Sequence, residues 1–192
     1  MKKIAKLIRS VTAPPIMAAV FIAILYAADF LTGTSALWSL FFLGILPVLA
    51  YPICSIIPKL RAGGRNTERK LAVILSVSGY LFGFLKVMIF GGSSMELLLF
   101  SSYLISGLLI AVFSYVLRIR SSGHAAAVAG PITMLALRVS PWYWLALLIL
   151  AAVFWSSVEL RRHTLVQLFL GAAFSVVPTL LLYAPIMGES IF

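Results

Sequence analysis

One cysteine, two histidines and five acidic residues are all that this 192-residue chain holds of those types. The lone Cys54 excludes an intrachain disulfide framework or a cysteine metal site and reads as a packing residue. The carboxylates are scattered, at Asp29, Glu68, Glu96, Glu159 and Glu189. They offer no acidic cluster for a hard cation, so no metal and no other cofactor is expected. Charge is also scarce: 10% of residues are charged and 62% hydrophobic, against about 25% and about 45–50% in a soluble domain. With a mean hydropathy of +1.11, too little polar surface remains to cover a water-soluble globule. The solvent is therefore lipid, which demands helices or a closed barrel. The apolar runs are about 20 residues long and do not alternate, which selects helices.

The expected fold is an all-α, polytopic transmembrane helix bundle of about seven spans, forming a single domain over 1–192 with no internal repeat. The spans are placed at about 15–32, 36–57, 71–90, 95–117, 124–138, 142–158 and 164–184. Lys2, Lys3, Lys6 and Arg9 precede the first apolar run without a convincing cleavage site, and Pro14-Pro15 follows. Residues 2–12 are read as a short amphipathic helix in the interface, with Ile4, Leu7, Ile8 and Val11 on one face.

A net charge of +10 would suggest nucleic acid in a soluble protein. Here Lys and Arg lie in short clusters between apolar runs, so membrane topology and lipid phosphate explain them better. Thirteen of the fifteen fall on the side that holds the N-terminus, in residues 2–9, 59–70, 118–120 and 161–162. Lys86, inside the third span, is expected to snorkel toward the far side, which also holds Arg138. Asp29, Glu96 and Glu189 fall on or near that side. The positive-inside rule makes the N-terminal side cytoplasmic. The cluster Trp142, Tyr143 and Trp144 reads as the opposite aromatic belt.

Both histidines, His124 and His163, fall on the positive side, each at the start of an expected helix and each beside arginines. Singly, His124 reads as an interfacial polar residue and His163 with Arg161 and Arg162 as a topological anchor. Together they point to an anion. A helix N-terminus presents free N–H groups to an anion, and arginine adds a planar fork matched to phosphate oxygens. One helical hairpin, spans five and six, would join the two corners into a phosphate pocket at headgroup depth. Such a pocket suits phosphoryl transfer: one imidazole attacks phosphorus, the other protonates the leaving alkoxide, and arginines with backbone N–H groups stabilise the added charge.

Ser121-Ser122-Gly123-His124 resembles the PSGH motif of the type 2 phosphatidic acid phosphatase superfamily, with Ser121 in place of proline. The stretch from Ser157 to Gln167 resembles that superfamily's third motif, SR-x5-H-x3-D. The resemblance spans about residues 59–175 and is carried by short motifs. It implies a related core in the C-terminal part of the chain. It further implies His163 as nucleophile, His124 as general acid, and Ser122 and Gly123 as phosphate ligands. Arg65 and Arg69 lie where the first, basic motif would be expected, without its spacing, and read equally as topology signal or substrate contact. Ser156-Ser157 replaces the Ser-Arg pair, leaving Arg120, Arg118, Arg161 or Arg162 to supply the guanidinium. Gln167 replaces aspartate; four residues after His163, it shares a helix face with it. It can orient the imidazole but cannot stabilise imidazolium as a carboxylate does. Glu159 is the other acid near enough to take that role. The variant resembles a branch associated with small prokaryotic membrane proteins.

The resemblance implies a metal-independent membrane phosphatase or phosphotransferase of a prokaryotic cell membrane. Its partners are membrane lipids, and its substrate is a lipid phosphate or isoprenyl diphosphate. The alternatives are an inactive lipid-phosphate binder or carrier and, against the scarcity of polar residues within the spans, a small transporter. The charge asymmetry itself can be tested. In a Cys54→Ala background, Arg61→Cys should react with a membrane-impermeant maleimide only from the cytoplasmic side. Trp142→Cys should react only from the opposite side.

Overall fold

The computed structural model describes residues 1–188, so Glu189 lies outside the described residues. Among the described residues every regular element is helical. Eight principal helices follow one another: α1 (Lys2–Val11), α2 (Pro14–Ala27), α3 (Gly33–Ile56), α4 (Gly64–Phe90), α5 (Ser94–Val116), α6 (Gly123–Arg138), α7 (Pro141–Glu159) and α8 (Leu165–Met187). A short turn of helix, Pro58–Ala62, links α3 to α4. Wide π-type turns interrupt α3 at Phe41–Ile45 and end α5 at Val112–Val116.

Five of these helices, α3, α4, α5, α7 and α8, are long and apolar enough to cross a membrane. The pair α1 and α2, bent by 51°, makes a sixth if it is one broken span. This is fewer than the seven expected from apolar runs. The expected first and fifth spans are present as α2, with 14 residues, and α6, with 16. At 1.5 Å per residue these reach only about 21 and 24 Å, short of a hydrocarbon core of about 30 Å.

Large side chains such as Phe90, Leu148 and Leu181 are exposed on the outside of the bundle, as expected of a surface facing lipid. Burial is concentrated instead in α6, where Ala125, Ala126 and every residue from Val128 to Ala136 are enclosed.

The composition of α6 explains its central place. Gly123, Ala125, Ala126, Ala127, Ala129 and Gly130 keep its first half narrow, so α8, α2 and α7 can all pack against it. Small residues are the usual means of close helix approach in lipid, where apolar burial alone gives no drive. A Cβ on Gly130 would lie 2.9 Å from Ser175 Cβ on α8, so Gly130-Pro131 is a close-packing site. A second part of the core is built from Phe21, Leu25, Leu98, Leu99, Phe100 and Met134, all nearly or fully buried.

The Lys86 ammonium donates to Glu96 Oε1 at 2.8 Å, joining α4 to α5 near the far side. The Glu96 carboxylate also closes a capping box with Ser93 at the start of α5. Arg138 lies with its guanidinium over the Phe30 ring, 4.8 Å from the centroid. Removing one partner of a buried pair strands the other charge, at about 3–5 kcal/mol. Lys86→Met should therefore lower thermal stability in detergent strongly. The double variant Lys86→Met/Glu96→Met should recover most of the loss.

Candidate functional site

The ends of α1, α5 and α7 and the starts of α4, α6 and α8 bring the basic segments together. The loop before α8 is set by the end of α7. Arg162 N–H donates to the Ser157 carbonyl and Arg161 N–H to that of Val158, both at 2.9 Å. This Schellman closure places Arg161 in the left-handed region, at φ 51°. Arg118 holds a similar conformation, φ 59°, in the loop after α5. Both residues are exposed.

Gln167 joins the two histidine corners. Its side-chain oxygen lies 3.0 Å from His163 Nδ1 and accepts from the Thr164 N–H at 3.4 Å, while Thr164 Oγ1 accepts from the Gln167 N–H. The capping box thus fixes the amide with its oxygen toward the ring. An oxygen there requires a proton on Nδ1, which leaves the Nε2 lone pair of His163 available. Gln167, four residues after His163, thus contacts its imidazole. The Gln167 carbonyl also accepts from the Ser122 N–H at 3.0 Å. A Cβ on Gly171 would collide with the Ser122 backbone, so only glycine lets α8 come this close.

Ser122 is fully buried, and its hydroxyl accepts from the Ala125 N–H at 3.3 Å as the N-cap of α6. Its side chain is therefore a helix cap, where the resemblance implies a phosphate contact. The corner retains Gly123 and His124 in the first turn of α6.

Arg9, which the sequence alone reads as one more anchor, belongs to the site. Its Nη1 donates to Ser157 Oγ at 2.8 Å, and its Nη2 lies 3.5 Å from His124 Nδ1. A guanidinium can only donate, so this contact requires an unprotonated Nδ1. The one signal in the sequence is helical register: Arg9 lies little more than a turn before Pro14, on α1, which packs along α7. Arg9 thereby places a guanidinium beside Ser157, where the motif that this stretch resembles has arginine.

The site's charges act on one another. Burial, then the charges of Arg162, Arg65 and Arg69, lowers the Arg9 pKa. His124 lies at the outer end of α6, and burial followed by the Arg9 charge lowers its pKa to about 4, with His163 and Arg69 adding to the effect. Burial also lowers His163; the Gln167 hydrogen bond opposes this, and Arg9, Arg69 and Arg120 reinforce it. Of the expected residues, Arg69 and Arg120 thus act on the histidines and Arg65 and Arg162 on Arg9, whereas Arg118 and Arg161 act on none of the three. Among the described residues none of these arginines forms an ion pair, and no group of three or more His, Cys, Asp or Glu converges to hold a metal. A concentration of guanidinium without carboxylate favours an anion.

Both imidazoles should be neutral at pH 7, which ring-nitrogen NMR of the histidines can check. His163 should appear as the Nδ1–H tautomer in the parent and as a mixture in Gln167→Leu. His124 should titrate near 4 and move upward in Arg9→Met. The folded pKa lies below the unfolded value of about 6.5, so the corresponding stability is full above that value and is lost as pH falls through about 4. Gly171→Ala should destabilise the fold by about 1–3 kcal/mol through overpacking. No protein-family model, curated protein or solved structure matches the chain.

Proposed function

We propose that this protein is a membrane phosphatase or phosphotransferase that acts on a lipid phosphate or isoprenyl diphosphate through a phosphohistidine, in the manner of the type 2 phosphatidic acid phosphatase superfamily. The observation that carries the reading is that His163, oriented by Gln167, and His124 act on one another amid arginines that form no ion pair among the described residues. His163 Nε2 would attack phosphorus, forming the N–P bond as the bond to the lipid oxygen breaks. Arg9, Arg69, Arg120 and Arg162 would stabilise the phosphoryl oxygens. The arriving anion offsets the cations that hold His124 neutral, so His124 can take up a proton and deliver it to the leaving oxygen. Water would then cleave the N–P bond, releasing inorganic phosphate and regenerating the imidazole. The charge distribution supports a cytoplasmic location for the site.

A second reading, a lipid-phosphate binder without turnover, is favoured by two features. Gln167 supplies a neutral oxygen where imidazolium would gain most from a carboxylate, and Arg9 opposes protonation of His124. Purified protein should release phosphate from dodecyl or farnesyl phosphate without added metal, and acid-labile phosphate should be trapped on the chain. His163→Ala should abolish both. Unchanged turnover in that variant would remove His163 as nucleophile; tight binding with no turnover would favour the binder.

A further inference from the structure

A cavity of about 190 Å³ lies inside the bundle, between α2, α3, α4, α5, α6 and α8. It starts beside the cationic site: Gly123, the neighbour of His124, lines it, as does Pro14, which follows the helix that carries Arg9. One stripe of α6 continues it through Ala126, Ala127, Gly130 and Met134. From Gly123 to Met134 the stripe descends about 16 Å at 1.5 Å per residue. Among the described residues no charged side chain lines the cavity, although Arg9 meets His124 beside its Gly123 end. One wall residue, Ser102, is 2% exposed, and its hydroxyl has no hydrogen-bond partner. Other wall hydroxyls, those of Ser76, Ser175 and Thr179, bond back to the preceding turn, whereas the Ser102 hydroxyl does not.

We infer that this cavity receives the single hydrocarbon chain of a phosphorylated amphiphile whose headgroup sits among Arg9, His124 and His163. The inference rests on the phosphate reading above and adds the occupant of the interior. Charge complementarity selects the orientation. An anionic head is favoured at the guanidinium cluster, and an alkyl or prenyl chain is favoured in an uncharged, largely apolar interior. The small residues of α6 that permit close packing on one face leave, on the face toward the cavity, the width for one chain.

The test uses the whole chain in detergent and dodecyl phosphate bearing a terminal diazirine, with crosslinked peptides mapped by mass spectrometry. Labelling should fall on Tyr80, Tyr103 or Met134. It should drop at least tenfold in Ala127→Phe and in Val73→Trp, which fill the cavity from opposite walls; the two variants guard against a folding defect in either. It should also drop in Arg9→Ala, and the analogous dodecanol probe should label the cavity weakly. A diazirine-bearing farnesyl phosphate run in parallel distinguishes a prenyl from a straight chain by the stronger labelling. Labelling confined to outer residues such as Phe90 and Leu181 would overturn the chain site while leaving phosphate binding intact. Equal cavity labelling by dodecanol, indifferent to Arg9→Ala, would overturn the coupling of chain to headgroup and the phosphate reading with it.

Discussion

The hydrogen bond from the Ser122 N–H to the Gln167 carbonyl holds the site in register. It ties the start of α6 to the first turn of α8, and it forms because Gly171 allows the two backbones to meet. From that junction, the backbone leads through Gly123 to His124. The Gln167 side chain leads to His163. The two imidazoles are thus placed by one residue whose backbone serves one and whose amide serves the other.

Burial gives this arrangement its electrostatic character. Desolvation is the leading cause of the lowered pKa of both histidines and of Arg9. Cations held together without carboxylates repel one another, and the repulsion is stronger where water is scarce. The fold tolerates this at one end of the bundle, whereas the charged pair inside it, Lys86 and Glu96, is neutralised directly. The contrast separates a charge pair that serves structure from a charge cluster that an anion would complete.

Much of the fold is legible in the sequence because lipid imposes a simple rule: long apolar runs become helices, and turns carry the polar residues. The amphipathic segment 2–12 is a local feature, and local chemistry suffices to read it. The contact of Gln167 with His163 is legible for the same reason, since the two lie one helical turn apart. The enclosure of α6 is not, because an apolar run does not reveal whether lipid or other helices surround it. That Ser122, which the resemblance implies as a phosphate ligand, caps α6 is likewise seen only in the folded chain.

The amino-acid order thus settles the helical class, the clustering of positive charge between apolar runs and the His163–Gln167 pair, each being a matter of composition or of neighbours within a turn. Tertiary packing settles which arginines reach the histidines. Arg9 is 115 residues from His124 and 148 from Ser157, and its register before Pro14 does not by itself say which helices it meets. Arg118 and Arg161, close in sequence to the histidines, hold left-handed backbone in exposed loops and act on neither imidazole. Contact between distant segments depends on how helices pack, and here the narrow face of α6 decides it.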